Sequence, residues 1–332
     1  MFKVNDSDKL FEGYTFIDLF CGIGGFHLAL SSLGAKCVFA SDINKAASEV
    51  YYNNFGIKPQ GDIKKITCAE IPSHDILCAG FPCQPFSISG SKKGFNDPNG
   101  KLFFDIIRIA RFHKPKVILL ENVKNLEKHD DGETLKTIID KLDKVGYRVF
   151  CKVLNSADYG VPQSRKRIYI VAFKKSLKIK KFIFPEPMHR TIALESILEK
   201  SVSSKYYINR EYEIDTEKNK SVEITNKITR IGQVGLGRQG ERIYSIKGQA
   251  ITLSSQGGGL AGKTGMYLID NKVRRLSPRE CARAMGFPDD FKISSLDSEC
   301  YSQFGNSVVV NVIQEISKQI AINMQEVKNE EH

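Results

Sequence analysis

The 332-residue chain has no stretch of eighteen or more apolar residues, and a membrane-crossing helix needs about 20. Its opening run, MFKVNDSDKLFEG, lacks the apolar core and small-residue cleavage site of a signal peptide, so the expected location is the bacterial cytosol, with no membrane partner. The eight cysteines contain no C-x-x-C pair. That argues against a zinc site and a disulfide framework, and no metal is expected. Internal repeats and low-complexity tracts are also missing. The excess is in positive charge: 49 Lys and Arg against 38 Asp and Glu leave a formal +11. Such a surplus attracts polyanions and puts nucleic acid first among partner classes. Hydrophobic residues at 41% and charged residues at 26% match a soluble globular chain. A single core stops growing at about 250–300 residues, so one large domain with an added lobe is expected.

The first half alternates β-rich runs with amphipathic stretches. Strands are predicted at Tyr14–Phe20, Cys37–Ser41, Asp75–Ala79, Lys116–Leu120, Arg148–Leu154 and Ile168–Phe173, and helices at stretches such as Phe26–Leu33 and Leu102–Phe112. This rhythm predicts an α/β fold with a mostly parallel, Rossmann-like sheet, which binds ligands outside the carboxyl ends of its strands. Near Lys174 the pattern breaks: five lysines lie between Lys174 and Lys181 with no acid among them, and Pro185 and Pro187 follow. The predicted division is a catalytic domain over 1–195, completed by 305–332, a smaller β-rich lobe over 196–277, and a hinge over 278–304. The apolar run Ser307–Ile320 has helical spacing.

Thr15 to Phe26 reads as a hydrophobic strand, a glycine turn and a helix. Gly22, Gly24 and Gly25 permit positive φ and close ligand approach. Asp42 lies twenty residues after Gly22, where an acid accepts hydrogen bonds from ribose hydroxyls. The G-x-G-G spacing departs from the dinucleotide fingerprint G-x-G-x-x-G, which favours a cofactor with ribose and no pyrophosphate. S-adenosylmethionine fits, with Asp62 within reach of the adenine amine. The plainer alternative is a tight βα turn in which Asp42 caps the next helix.

Cys83 follows a buried run in Asp75-Ile-Leu-Cys-Ala-Gly-Phe-Pro-Cys-Gln-Pro. Pro82 and Pro85 stiffen its flanks and Gly80 lets the chain turn, so this thiol is expected to be held at the cleft mouth, with Cys78 as the structural contrast. A second strand ends in Glu121-Asn122, and Gln163-Ser-Arg-Lys-Arg167 precedes a third. Taken singly, Glu121 reads equally well as a cap and the arginines as a solvated face.

The ordered set FxGxGG, PCQ, ENV, QxRxR and FGNS, at Phe20–Gly25, Pro82–Gln84, Glu121–Val123, Gln163–Arg167 and Phe304–Ser307, resembles the cytosine-5 DNA methyltransferases over nearly the whole chain. Carbon 5 of cytosine is too weak a nucleophile to attack a sulfonium methyl directly, so a thiolate must first add at carbon 6. The resemblance implies Cys83 as nucleophile and Glu121 at ring nitrogen 3 and the exocyclic amine. It implies Arg167 at the carbonyl oxygen and Arg165 orienting neighbours or phosphate. It also adds Phe20, Ile43, Pro82 and Asn306 to the cofactor residues, with Ile43 standing where the family carries an aromatic. Asp42 is shorter than the family's usual Glu. No zinc deaminase pattern is present, so deamination of a flipped base is not expected. Reaching carbon 6 requires the cytosine to leave the duplex stack. Ser87–Gly100 is the expected lid, with Ser89 entering the vacated space.

In the lobe, Gln239, Arg242, Thr252, Gly257 and Gly259 are the expected DNA contacts, with Arg and Gln suited to guanine and adenine edges. Gln239–Ser245 and Ile251–Ser254 are similar to the recognition region of family members that modify the inner first cytosine of GCGC. That implies the same target, a restriction-modification setting, double-stranded DNA as partner and a monomer. Gln256 replaces an aromatic in this region. Two rivals are a tRNA cytosine-5 methyltransferase and a catalytically silent DNA-binding regulator.

Overall fold

A computed structural model describes residues 9–81, 102–188 and 190–330, with side chains described as far as 326. The chain divides into two compact units: Met1–Leu154, Lys166–Glu186 and Val312–His332 form the first, and Asn155–Arg165 with Pro187–Asn311 the second.

The first unit contains a six-stranded sheet: β1 (Thr15–Leu19), β2 (Lys36–Ser41), β3 (Ile76–Gly80), β4 (Val117–Val123), β5 (Tyr147–Asn155) and β6 (Lys166–Lys174) in the order β2-β1-β3-β4-β6-β5. β1 pairs in parallel with β2 and β3, and β3 with β4, whereas β6 runs antiparallel to β4. The central strands carry no polar/apolar alternation because both faces are covered: Val117 to Leu120 and Ile170 to Phe173 are wholly buried. The helices are α1 (Gly25–Ser31), α2 (Lys45–Phe55), α3 (Leu102–His113) and α4 (Glu133–Lys144). α3 buries Phe103, Ile106, Ile107, Ile109 and Ala110, a stripe at helical spacing. These join Ile17, Leu77, Leu120 and Ile170 in the main core. The chain leaves β1 for β2 on one side and later returns to β3 on the other, so β1 and β3 border a switch point of the sheet.

The second unit has a five-stranded sheet of β7 (Tyr212–Ile214), β8 (Arg230–Val234), β9 (Arg242–Ser245), β10 (Met266–Ile269) and β11 (Lys272–Arg275), in the order β11-β10-β9-β8-β7. Only β9 and β10 pair in parallel. Helices α5 (Thr216–Ser221), α6 (Pro278–Ala284) and α7 (Asp297–Asn306) belong to this unit, and α8 (Val310–Glu330) starts in it. Ile231, Val234, Ile243, Met266 and Val273 form its small core. Arg274 donates twice to the wholly buried Glu280, at 2.7 and 2.6 Å.

The division differs from the sequence expectation at four places, one of them the return to the first unit, which comes at Val312 and not at 305. Residues 155–165 belong with the second unit, whose boundary falls at Pro187, and the stretch expected to be a hinge packs into that unit as α6 and α7. Periodicity cannot detect a segment whose partners are distant in sequence. β4 and β6 also run past their predicted ends. Glu121, Asn122 and Val123 pair with Tyr169, Ile168 and Arg167, and ladder hydrogen bonds carry polar residues that read locally as loop.

Candidate active site

The turn after β1 is shaped by its backbone. Phe20 sits at φ 56°, Gly22 at 53° and Gly24 at 91°. Gly24 is the N-cap of α1 in left-handed conformation, the geometry in which glycine avoids a Cβ penalty. The Gly22 N–H donates to Asp42 Oδ2 at 2.8 Å, and the Asn44 N–H donates to Asp42 Oδ1 at 2.8 Å. Asp42 therefore ties the glycine turn to the end of β2. The side-chain cap of α2 is Asn44, accepting from the Ala47 N–H at 3.0 Å, so Asp42 is not the capping residue. Burial raises the Asp42 carboxyl above its ordinary range, against the backbone N–H groups that lower it.

The neighbouring residues suit an adenosine-containing cofactor. A Cβ at Gly22 would meet nothing within 4 Å, so ligand can approach that backbone. Asp42 retains lone pairs for hydroxyls, since a carboxylate offers about four acceptor sites. Ile43 projects an apolar side chain that is 74% exposed. Asp62 accepts from the Lys64 N–H at 3.1 Å and is half-buried.

Sequence reasoning missed a group of buried polar side chains behind this turn. Asp18 in β1 is wholly buried; burial, then the Asp42 charge, pushes its carboxyl well above the usual range, opposed by the His27 N–H. His27 Nδ1 lies 2.6 Å from the Tyr51 hydroxyl, and its ring stacks on Phe55 at 3.9 Å. Burial lowers the His27 pKa from 6.5 to about 3. The available signal was an acid inside an apolar strand and a histidine on an apolar helix, each of which has common structural explanations.

At the carboxyl end of β4, Arg167 Nε lies 3.2 Å from Glu121 Oε1. Glu121 opposes Tyr169, and Arg167 is two residues away on the same strand, so both side chains leave the same sheet face. Asn122 is buried, donates to the Phe81 carbonyl at 3.1 Å and accepts from the Val123 N–H at 2.9 Å. It anchors the end of β3 to β4 immediately before Pro82. Pro82, Cys83 and Ser89 lie outside the described residues. Cys78 is buried within β3, and burial pushes its thiol well up.

The QxRxR run is shared between the units: Gln163 and Arg165 fall in the second, Arg167 in the first. Arg165 is buried and donates to the carbonyls of Leu253, Gly305 and Ser307 at 2.9–3.0 Å. Its guanidinium orients neighbouring chain and is not presented to phosphate. Gln163 donates to the Ala284 carbonyl at 2.9 Å and accepts from the Leu253 N–H at 3.0 Å. Asn306 ends α7 with an exposed side chain.

In the second unit Gln239 is exposed, Arg242 half-buried, and Thr252 donates to the Ser164 carbonyl at 2.6 Å. Gly257 and Gly259 border a cavity of about 330 Å³ together with Lys263, Arg275, Asp297 and Tyr301. Among the described residues no cluster of His, Cys, Asp or Glu could hold a metal, and no helix is long and apolar enough to cross a membrane.

The sequence pattern of the family described as C-5 cytosine-specific DNA methylase matches residues 14–321. The chain is 51% identical to the Type II methyltransferase M.HhaI of Haemophilus parahaemolyticus, over 96% of this chain and 97% of that one. It is 41% identical to the Type II methyltransferase M.HpaII of Haemophilus parainfluenzae, over 96% and 92%. Among solved structures, Spodoptera frugiperda DNMT2 superposes with a TM-score of 0.71 at 25% identity, covering 93% of this chain and 99% of that one. The S. pombe Dnmt2 methyltransferase, at 22% identity and TM-score 0.69 over 95% and 99%, shares the fold. With a family match across almost the whole chain and two close Type II relatives, the protein belongs to the C-5 cytosine-specific DNA methylases, for which S-adenosylmethionine is the methyl donor.

Proposed function

We propose that this enzyme extrudes a cytosine from duplex DNA and methylates its carbon 5 within GCGC, at the inner first cytosine, as the modification partner of a restriction enzyme. The observation that carries the reading is the Glu121–Arg167 pair, 3.2 Å apart, at the end of β4 beside the strand that leads into Cys83. An acid next to a guanidinium answers the two polar atoms of a cytosine ring, nitrogen 3 and the carbonyl oxygen.

In this reading the Cys83 sulfur forms a bond to carbon 6, and the displaced electron density spreads over the ring. Glu121, in its protonated form, donates to nitrogen 3, and Arg167 stabilises charge at the oxygen. Carbon 5 then becomes nucleophilic, in the manner of an enamine. S-adenosylmethionine supplies an electrophilic methyl when bound. Phe20, Gly22, Gly24, Gly25, Asp42, Ile43, Asp62, Pro82 and Asn306 are the residues proposed to hold it. Loss of the carbon 5 proton to solvent water restores the double bond and expels the thiolate, and the nitrogen 3 proton returns to Glu121.

Extrusion costs about a few kcal/mol in unstacking and unpairing. Ser89, Gln239, Arg242, Thr252, Gly257 and Gly259 are the residues proposed to offset it by contacts to DNA, Gln239 facing the orphan guanine. Replacing Cys83 with Ser is expected to abolish methyl transfer and leave cofactor binding intact. Mapping 5-methylcytosine at base resolution after expression in a methylation-free host tests substrate, product and sequence together. 5-Methylcytosine found only in tRNA, or none with the intact thiol, would reject the reading.

A further inference from the structure

Two loops of the second unit carry the residues proposed to meet DNA: one holds Gln239 and leads into Arg242, the other runs from Gly257 to Gly262. Their contact is made of backbone. A Cβ built on Gly240 would lie 2.7 Å from the Gly258 carbonyl oxygen and 3.5 Å from the Gly262 N and Cα. One on Gly257 would overlap the Gly262 carbonyl, and one on Gly262 would overlap the Gly258 carbonyl. None of these three glycines has the positive φ that would itself demand glycine, so close approach is the only constraint on them. Gly258, in the same loop, also lacks positive φ, and a Cβ there would meet nothing within 4 Å.

We propose that Gly240, where the two loops meet, and Gly262, where the second loop closes on Gly257 and Gly258, form a seam that holds both loops as one reading element, so that Gly240 and Gly262 determine sequence specificity without touching a base. This rests on the DNA-recognition reading given above. The base of the second loop is closed by the Ser254 N–H to the Lys263 carbonyl at 3.0 Å. Away from Gly240, the same loop borders the cavity of about 330 Å³ that Arg275, Asp297 and Tyr301 complete. Ala261 in the same loop joins the small core of the unit and holds that side of the loop, while the seam sets its approach to the Gln239 loop. Base-edge readout depends on hydrogen-bond geometry at both loops together, and loss of one good bidentate contact costs roughly 10- to 100-fold in discrimination.

The test uses the full-length enzyme carrying Gly240→Ala, Gly262→Ala or, as control, Gly258→Ala. For the first two, KM for duplex DNA should rise roughly 10- to 100-fold, or methylation should spread to sites differing by one base. The kcat at saturating cognate duplex and the affinity for S-adenosylmethionine should change little. Gly258→Ala should match wild type in all four readouts. If Gly262→Ala does not fold, Gly240→Ala alone decides the matter. Wild-type specificity and KM in folded Gly240→Ala would overturn the proposal, as would an equal loss in Gly258→Ala. Failure of the wild-type enzyme to methylate duplex DNA would instead reject the function on which the proposal rests.

Discussion

At the scale of single residues, two side chains combine a defined neighbour with a measurable consequence. If Glu121 supplies a proton to the ring, Glu121→Gln should lower the single-turnover rate by about 10²- to 10⁴-fold, the range of a general acid. An undiminished rate would remove Glu121 from the chemistry. His27 offers a test of the buried polar group behind the glycine turn. Its folded pKa is lowered from 6.5 to about 3 by burial. Below 6.5 the unfolded chain takes up a proton that the folded protein refuses, so stability is lost as pH falls from about 6.5 towards 3. The slope is at most about 1.4 kcal/mol per pH unit, so His27 accounts for about 2 kcal/mol of loss at pH 5. Denaturant unfolding at pH 7 and pH 5 should show that difference shrink in His27→Gln by a similar amount.

At the scale of elements, buried donors fasten segments that no local pattern joins. Arg165 serves three carbonyls, at Leu253, Gly305 and Ser307, and Arg165→Leu leaves all three without that donor. An unsatisfied buried acceptor costs about 1–3 kcal/mol, so a total loss of at least about 3 kcal/mol is expected. Hydrogen exchange should accelerate in 253–255 and 305–307, with the strands of the first unit unaffected; unchanged protection would show those carbonyls find other donors. Asn122→Leu should cost about 1–3 kcal/mol by the same reasoning, because it frees the Phe81 carbonyl at the end of β3. Most strands were legible in the sequence because β3 and the first part of β4 are unbroken apolar runs and β1 is apolar apart from Thr15 and Asp18, the mark of a parallel sheet covered on both faces. The last residues of β4 and the first of β6 were not. Glu121, Asn122 and Arg167 are polar, and their strand conformation comes from pairing with each other's strand.

For the whole molecule, the surplus of 49 basic over 38 acidic residues sets the expected behaviour toward DNA. Neutralising about 6–10 phosphates would make affinity fall about 10³- to 10⁵-fold between 50 and 200 mM salt. Fluorescence anisotropy with a labelled duplex should therefore give a slope of log affinity against log salt steeper than about −5. A slope near zero would remove phosphate contacts from the binding energy.

Sequence alone determined the reaction class, because the glycine turn, PCQ, ENV, QxRxR and FGNS in that order resemble the cytosine-5 DNA methyltransferases, and the class follows from that resemblance. It also determined the apolar strands, whose burial needs only hydrophobicity. Tertiary structure decided which groups meet. The bond from Gly22 to Asp42, the Glu121–Arg167 pair, the assignment of 155–165 to the second unit and the seam at Gly240 all join positions far apart in the chain or fixed by backbone approach. Periodicity reports which face of an element is apolar; it carries no information about which distant backbone or side chain will lie against that element once the chain has folded.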